Sequence, residues 1–311
     1  MKVSDNTKFM LKVCEMFYID GKSQKEISGV LDISRPQISR IIAKAKERGL
    51  VSIKLNYQNF EENEVQRLVA EKYGIPEVYV YDIGKLSGSE GIHKLAEASK
   101  ELFNIVVKNN EQVGIMAGRT IESLSHVIEK SRNRGLVFIP LCGVLSSSGN
   151  SWYANNICQN FAAKTNGRYF LLNAPNYLSN KDTKKLLLGE KTITDVLDKG
   201  QKCDVVLVGI GSLSAQSTGV LAGGLSEQEL EVLRSEGAVA NICCSYINGE
   251  GKVIETSIGN RILGQSIEDV SKSRKVGIAM GQEKTEAIKA VLKGKLVDVF
   301  ITSLDTAKRL I

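Results

Sequence analysis

Histidine is nearly absent from this chain: among its 311 residues there are two, His93 and His126, far apart in segments that look helical. A catalytic triad or a histidine-based metal site has little to build on. Cysteine is present but unpatterned. The six, Cys14, Cys142, Cys158, Cys203, Cys243 and Cys244, include no Cys-x-x-Cys pair, so zinc-type spacing is missing. Long apolar runs are lacking as well. None approaches the roughly 20 residues that span a bilayer. The opening MKVSDNTKFM carries no apolar core of a signal peptide. A cytoplasmic protein with no membrane partner is expected, where a disulfide framework is not. No nucleophile stands beside a base and no paired carboxylates are recognisable. Catalytic residues, metal ligands and cofactors are therefore not expected.

Charge of one sign is also scarce, except at one end. Residues 1–56 hold 11 Lys/Arg against 6 Asp/Glu, a net +5. Residues 57–311 hold 30 against 29, a net +1. The length predicts two domains, and the charge and pattern divide them at 1–56 and 57–311. Positive charge concentrated in the small part is what neutralising nucleic-acid phosphates requires. The near-neutral large part argues against a second such surface.

In the small part, residues 6–19 predict an amphipathic helix with Phe9, Met10, Val13, Met16 and Phe17 inward. Ser23 and Glu26 have the spacing of a capping box, and Ile27, Val30 and Leu31 give the apolar stripe that follows. After Asp32-Ile33, Ser34 caps a further helix with Pro36 in its first turn, where a missing N–H costs little. Ile38, Ile41 and Ile42 form its buried stripe. Ser34, Arg35, Pro36, Gln37, Ser39, Arg40 and Lys44 are the candidate DNA-contacting residues, carrying side chains that bond base edges and phosphates. Two short helices with such an outer face predict a helix-turn-helix, and the alternating Leu50–Leu55 predicts its wing. Asn56–Asn59 reads as a linker. The helix expected over Phe60–Tyr73, with Phe60, Val65, Leu68 and Val69 at helical spacing, either pairs subunits or is a plain surface helix.

From Val78 the pattern becomes α/β. Strands are expected at Val78–Tyr81, Val113–Met116, Leu136–Leu141, Tyr169–Leu172, Val205–Ile210, Val239–Ile242, Val276–Met280 and Val299–Thr302. Helices are expected at Glu90–Val107, Thr120–Lys130, Tyr153–Lys164, Ser226–Ser235 and Lys284–Lys293. Continuous β-branched runs at helical separations predict a Rossmann-like, mostly parallel sheet covered on both faces. Ligands bind such sheets beyond the C-terminal strand ends. The Gly-rich polar ends there predict a pocket for a small polar ligand.

The chain resembles the SorC family of bacterial sugar-responsive transcriptional regulators, also called the deoxyribonucleoside-regulator type. The resemblance spans nearly the whole chain. It rests on Ile33 to Arg40 (ISRPQISR), Ala45, and Lys46 to Val51 (KERGLV). Further along it rests on Val208 to Leu213 (VGIGSL), Gly237-Ala238-Val239, Arg261, Lys284 with Ala287-Ile288, and Thr306-Ala307. It implies a winged helix-turn-helix joined to an effector domain resembling sugar-phosphate isomerases of the glucosamine-6-phosphate deaminase type. It also implies operator DNA, a small carbohydrate or phosphorylated sugar as effector, and a homodimer or homotetramer. The effector site so implied comprises Gly118, Arg119, Thr120, Cys142, Gly143, Tyr153, Asn155, Gly209, Ile210, Gly211, Asn241 and Lys284. Lys284 holds the phosphate and Asn241 the sugar hydroxyls. The chain departs from the family at four places. Ala240-Asn241 stands where Gly-Asp is common, and Cys142 where some relatives carry Lys or Arg. Met280 replaces a Gly, and Ser303-Leu304 an acidic pair. The alternative is an isomerase- or deaminase-like enzyme with an accessory DNA-binding domain.

Overall fold

Residues 6–52, 60–129, 131–145 and 151–311 are described by the computed structural model. The chain divides into two units, Met1–Gln58 and Asn59–Ile311.

In the first unit, α1 (Thr7–Tyr18), α2 (Gln24–Leu31) and α3 (Arg35–Glu47) surround a core of Met10, Val13, Ile27, Ile38, Ile41, Ile42 and Ala45. Asn6 starts α1 by accepting from the Lys8 and Phe9 amides. Ser23 and Glu26 form the expected capping box at α2. Phe9 and Phe17 are only partly buried at the rim. Val30 is a correction to the expected stripe: it is 64 % exposed, because Ile27 and Leu31 already turn that helix to the core. Asp32 takes a left-handed conformation (φ 52°) and turns the chain into α3. At the other end of α3, Gly49 (φ +69°) allows a Schellman closure. Its N–H reaches the Lys46 carbonyl at 2.9 Å, and the Leu50 N–H reaches Ala45 at 2.9 Å. Leu50–Ser52 form no strand, and the rest of the expected wing and the linker lie outside the described residues.

The second unit is built on a seven-stranded, wholly parallel sheet. Its strands are β1 (Glu77–Tyr81), β2 (Gln112–Ile115), β3 (Val137–Pro140), β4 (Arg168–Tyr169), β5 (Val205–Gly209), β10 (Arg274–Ile278) and β11 (Val299–Ser303), with β6 to β9 set apart as described below. They lie in the order β1-β11-β10-β5-β2-β3-β4. From β2 the chain steps outward through β3 to β4, then returns to the far side of β2 with β5 and continues through β10 and β11. This is the doubly wound Rossmann order with β1 added at one edge, and its switch point lies between β2 and β5.

Alternate strand residues serve two cores. Val206, Val208 and Phe300 pack with α4 (Phe60–Tyr73), α9 (Lys191–Gly200) and α12 (Thr285–Lys293). Val205, Leu207 and Ile301 pack with α5 (Gly88–Val106), α6 (Arg119–Val127) and α7 (Ala154–Thr165). A strand buried on both faces has no polar alternation, which is why these runs read as continuous hydrophobics. Helix α4 turns Val65, Val69 and Tyr73 to the sheet, and the Tyr73 hydroxyl donates to the Leu310 carbonyl at 2.9 Å. Phe60 is exposed.

One expected parallel strand belongs elsewhere. Val239–Ile242 falls in β7 (Ala238–Ile242), inside a small antiparallel sheet with β6 (Gly211–Ser212), β8 (Ser245–Asn248) and β9 (Val253–Ile254). Ala238, Ala240 and Ile242 are buried while Val239 and Asn241 are half-buried. That alternation marks a strand with one covered face. This sheet, α10 (Thr218–Leu221) and α11 (Glu227–Ser235) lie in the chain between β5 and β10. Helices α8 (Lys181–Leu187) and α13 (Leu304–Lys308) complete the described set.

Candidate functional site

A cavity of about 560 Å³ opens at the C-terminal ends of β2, β5, β10 and β11. Its position follows from topology. At the switch point the connections from β2 and β5 depart in opposite directions, leaving a crevice between them. The wall there is Met116–Ile121 from the β2–α6 turn and Gly209–Ser214 from the segment after β5. The antiparallel sheet adds Asn241 and Tyr246.

Three helical starts face this space. The loop Gly84–Gly88 leads into α5, Gly118 precedes α6, and Gly281 precedes a 3-10 turn at Gln282–Lys284 that runs into α12. Unpaired N–H groups at such starts favour an anion. The Gly281 turn is pinned from behind: the Gly281 N–H donates to the Thr306 hydroxyl at 2.9 Å. That hydroxyl also bonds Ser303 Oγ at 2.9 Å. Thr306, a residue of the family signature that also lines the cavity, thus holds the loop in place.

Two cations line the same cavity. Arg119 donates from Nη2 to the Gln216 carbonyl at 3.2 Å, and its guanidinium lies 6.0 Å from the Trp152 ring centroid. Lys284 is half-buried. Burial holds its ammonium below the ordinary lysine pKa; the Glu283 charge opposes this, and the nearby Arg119 charge adds to it. Among the described residues neither cation forms an ion pair within 4 Å. Two positive charges on one cavity, one of them on the half-buried Lys284, repel each other, and an anion between them offsets that repulsion.

Asn241 is held by close backbone approach. It pairs with Gly211 across β6–β7, and a Cβ at Gly211 would lie 1.8 Å from Asn241 Oδ1. Only glycine leaves room for that amide.

Of the residues expected from sequence, Gly118, Arg119, Thr120, Gly209, Ile210, Gly211, Asn241 and Lys284 line the cavity. Cys142, Gly143, Tyr153 and Asn155 are not among its described lining residues. They follow β3, which is displaced from the switch point. Cys142 is buried and bridges Gly264, and burial pushes its thiol up to about 11. The Gly143 N–H bonds the Leu263 carbonyl at 3.1 Å. Tyr153 is buried at the start of α7. Asn155 clasps the Leu172 backbone, accepting its N–H at 3.0 Å and donating to its carbonyl at 3.3 Å. Sequence reasoning did not single out Gly84–Gly88, Tyr177 or Asp305, all of which line the cavity.

In the first unit, Ser34, Arg35, Pro36, Gln37, Ser39 and Arg40 are all exposed, and Lys44 is half-buried. The Gln37 side-chain oxygen accepts from the Ser34 N–H at 3.1 Å and from its hydroxyl at 2.9 Å. Gln37 is thus partly occupied in starting α3.

The fold and the cavity define a ligand-binding α/β protein carrying a small, basic helical unit. Residues 57–311 match the family model described as "Putative sugar-binding domain". The chain belongs to that family, in the SorC type of sugar-operon transcriptional regulators that includes the deoxyribonucleoside regulators. It is 26 % identical to the deoxyribonucleoside regulator of Bacillus subtilis, over 97 % of this chain and 96 % of that one. It is 27 % identical to the erythritol catabolism regulatory protein EryD of Brucella abortus, over 97 % and 95 %. The full-length sorbitol operon regulator of Klebsiella pneumoniae shares the fold. Its crystal structure superposes with a TM-score of 0.75 at 23 % identity, over 98 % of this chain and 99 % of that one. The protein is a transcriptional regulator with a sugar-binding domain.

Proposed function

We propose that the cavity binds a phosphorylated sugar or polyol, and that its occupancy controls how tightly α3 holds operator DNA in front of a carbohydrate-use operon. The observation that carries this reading is the pair Arg119 and Lys284, two cations facing one cavity beside three helical starts. That arrangement suits a phosphate dianion: Lys284 and the backbone N–H groups of the Gly281 turn take the oxygens, and Arg119 completes the charge. Asn241 both donates and accepts, so it suits hydroxyls. Relatives named for sorbitol, erythritol and deoxyribonucleosides support a polyhydroxylated ligand.

Operator binding is the output. Ser34, Arg35, Pro36, Gln37, Ser39 and Arg40 lie in the N-terminal half of α3 or next to it, the end of a recognition helix that meets base edges, and Lys44 lies in its last turn. A homodimer or homotetramer presents two such helices to half-sites about one helical turn, or a multiple, apart. The test is operator footprinting with and without a panel of sugar and polyol phosphates. At least one compound should change occupancy in the wild type, and Lys284→Ala should keep ligand-free operator binding while losing that change. An unaltered response in Lys284→Ala would overturn the assignment of the anion site.

A further inference from the structure

Among the described residues, four buried side-chain polar atoms meet no hydrogen-bond partner: Trp152 Nε1, Ser217 Oγ, Tyr246 OH and Thr302 Oγ1. Buried polar groups are nearly always paired, so each such group needs an explanation. Two of the four, Ser217 and Tyr246, line the cavity. Tyr246 is only 2 % exposed, and its ring packs in an apolar cluster with Leu225, Leu230 and Ile258. Its hydroxyl is the one polar atom of that side chain, and the phenol of Tyr177, which also lines the cavity, is near enough to act on it without closing a tight hydrogen bond. Ser217 stands at the N-cap position of α10, where a serine ordinarily bonds a backbone N–H, yet its side chain does not cap the helix.

Both groups belong to the wall contributed by the insertion between β5 and β10, as does Asn241. Tyr246 is the register partner of Asn241 across β7–β8, and Asn241 is the register partner of Gly211 across β6–β7. Asn241, Tyr246 and Ser217 are therefore polar groups of one insertion, while the cations Arg119 and Lys284 stand at helical starts after the parallel strands, Arg119 meeting the insertion through the Gln216 carbonyl beside Ser217. A cavity of about 560 Å³ accommodates more than a phosphate.

We infer that Tyr246 and Ser217 form the hydroxyl-reading wall of the effector site, bonding the hydroxyls of a polyhydroxylated anion whose charged end lies at Arg119 and Lys284. This rests on the reading of the cavity as a phosphate-bearing effector site. The physical logic is that of a site built to bond a hydroxyl: a ligand lacking one leaves the buried group unpaired and is rejected. Burial keeps both nearby phenols protonated, Tyr177 being pushed up to about 12 and Tyr246 further, so Tyr246 remains a donor across the physiological range.

The experiment is calorimetric titration of the full chain with inorganic phosphate and with the phosphates of glycerol, erythritol, ribitol and sorbitol. It uses wild type, Tyr246→Phe, Ser217→Ala and Lys284→Ala, with melting temperatures of the ligand-free proteins. In the wild type at least one polyol phosphate should bind more than about tenfold tighter than inorganic phosphate. Tyr246→Phe should weaken that compound about tenfold, the worth of one hydrogen bond. It should leave inorganic phosphate unchanged. Ser217→Ala should act in the same direction. Ligand-free Tyr246→Phe should stay folded and melt close to wild type, because the hydroxyl it removes faces only the neighbouring Tyr177 phenol and closes no tight hydrogen bond. Wild-type affinity for the preferred polyol phosphate in both Tyr246→Phe and Ser217→Ala would overturn the inference. So would a wild type that prefers no polyol phosphate over inorganic phosphate. Lys284→Ala separates the two readings. Loss of every phosphate in that variant supports the anion site, and wild-type binding overturns it. Wild-type behaviour of Tyr246→Phe alongside a non-binding Lys284→Ala overturns the hydroxyl wall alone.

Discussion

Lys284 shows how one residue carries both stability and function. Its depressed pKa means that the unfolded chain holds the proton more strongly than the folded one. Stability therefore rises with pH through the lowered folded value, and the charged form costs folding free energy below it. A bound phosphate reverses the preference, because an adjacent anion favours the ammonium. Binding then draws on a protonated Lys284, and affinity falls as pH climbs through the ligand-free pKa. Phosphate itself stays dianionic above its second ionisation near about 6. The shift in melting temperature that glycerol phosphate produces should consequently shrink as pH rises through the range of the lowered Lys284 pKa, before an ordinary lysine would lose its proton. Lys284→Ala should show a small shift with no such slope. A wild-type shift that is flat across this range would remove Lys284 from the phosphate site. The sequence named Lys284 because it stands at a helical start after an apolar run. It placed Tyr246 just beyond the strand end at Asn241 and gave it no role. Nothing local marks a tyrosine whose hydroxyl is left unpaired; that emerges only when β7 and β8 pair. Cys142 and Gly143 show the converse. They have the composition of a strand end but follow β3, away from the switch point, so their polar groups serve the fold.

At the scale of elements, helix α3 was legible almost to the residue. Ser34 at its start, Pro36 in its first turn, the stripe Ile38–Ile41–Ile42 and Gly49 beyond its end each have one local cause. The parallel strands were legible for the same reason, since burial on both faces leaves an unbroken apolar run. Helix α9 carried a signal of its own in Ile193, Val196 and Leu197, at helical spacing and all buried. The antiparallel sheet was not legible: β6 and β9 are two residues each, too short for a period. Exposure of Arg40 on α3 and of Lys12 on α1 supplies a comparison within the first unit. Arg40→Ala should weaken operator binding by about 1–3 kcal/mol if the guanidinium pairs with a guanine, and should do so selectively for the cognate sequence. Lys12→Ala should weaken specific and non-specific DNA alike, and less. Fluorescence-anisotropy titrations at one fixed salt concentration check both. Equal losses on operator and random DNA for Arg40→Ala would take α3 out of base reading.

For the whole molecule, the cavity belongs to one unit and α3 to the other, and the proposed control of operator binding is an equilibrium between states. A ligand shifts the operator equilibrium only by binding the DNA-competent and incompetent states with different affinity. Linkage then fixes a quantity. If a polyol phosphate changes operator affinity by some factor, saturating operator must change the affinity for that polyol phosphate by the same factor. Such couplings are typically about 5–150-fold. Calorimetric titration of the preferred compound into free protein and into operator-saturated protein should give a ratio of dissociation constants. That ratio should equal the change in operator affinity seen by anisotropy under the same salt. Salt must be held fixed, because phosphate contacts make operator affinity steeply salt-dependent while the net +5 of residues 1–56 is screened. Tyr246→Phe should lower the compound's affinity for both forms and leave the ratio intact, since it reads the ligand and not the switch. Identical affinity of free and operator-bound protein for the compound, alongside a footprint that the compound alters, would break the linkage and move the effector to another site.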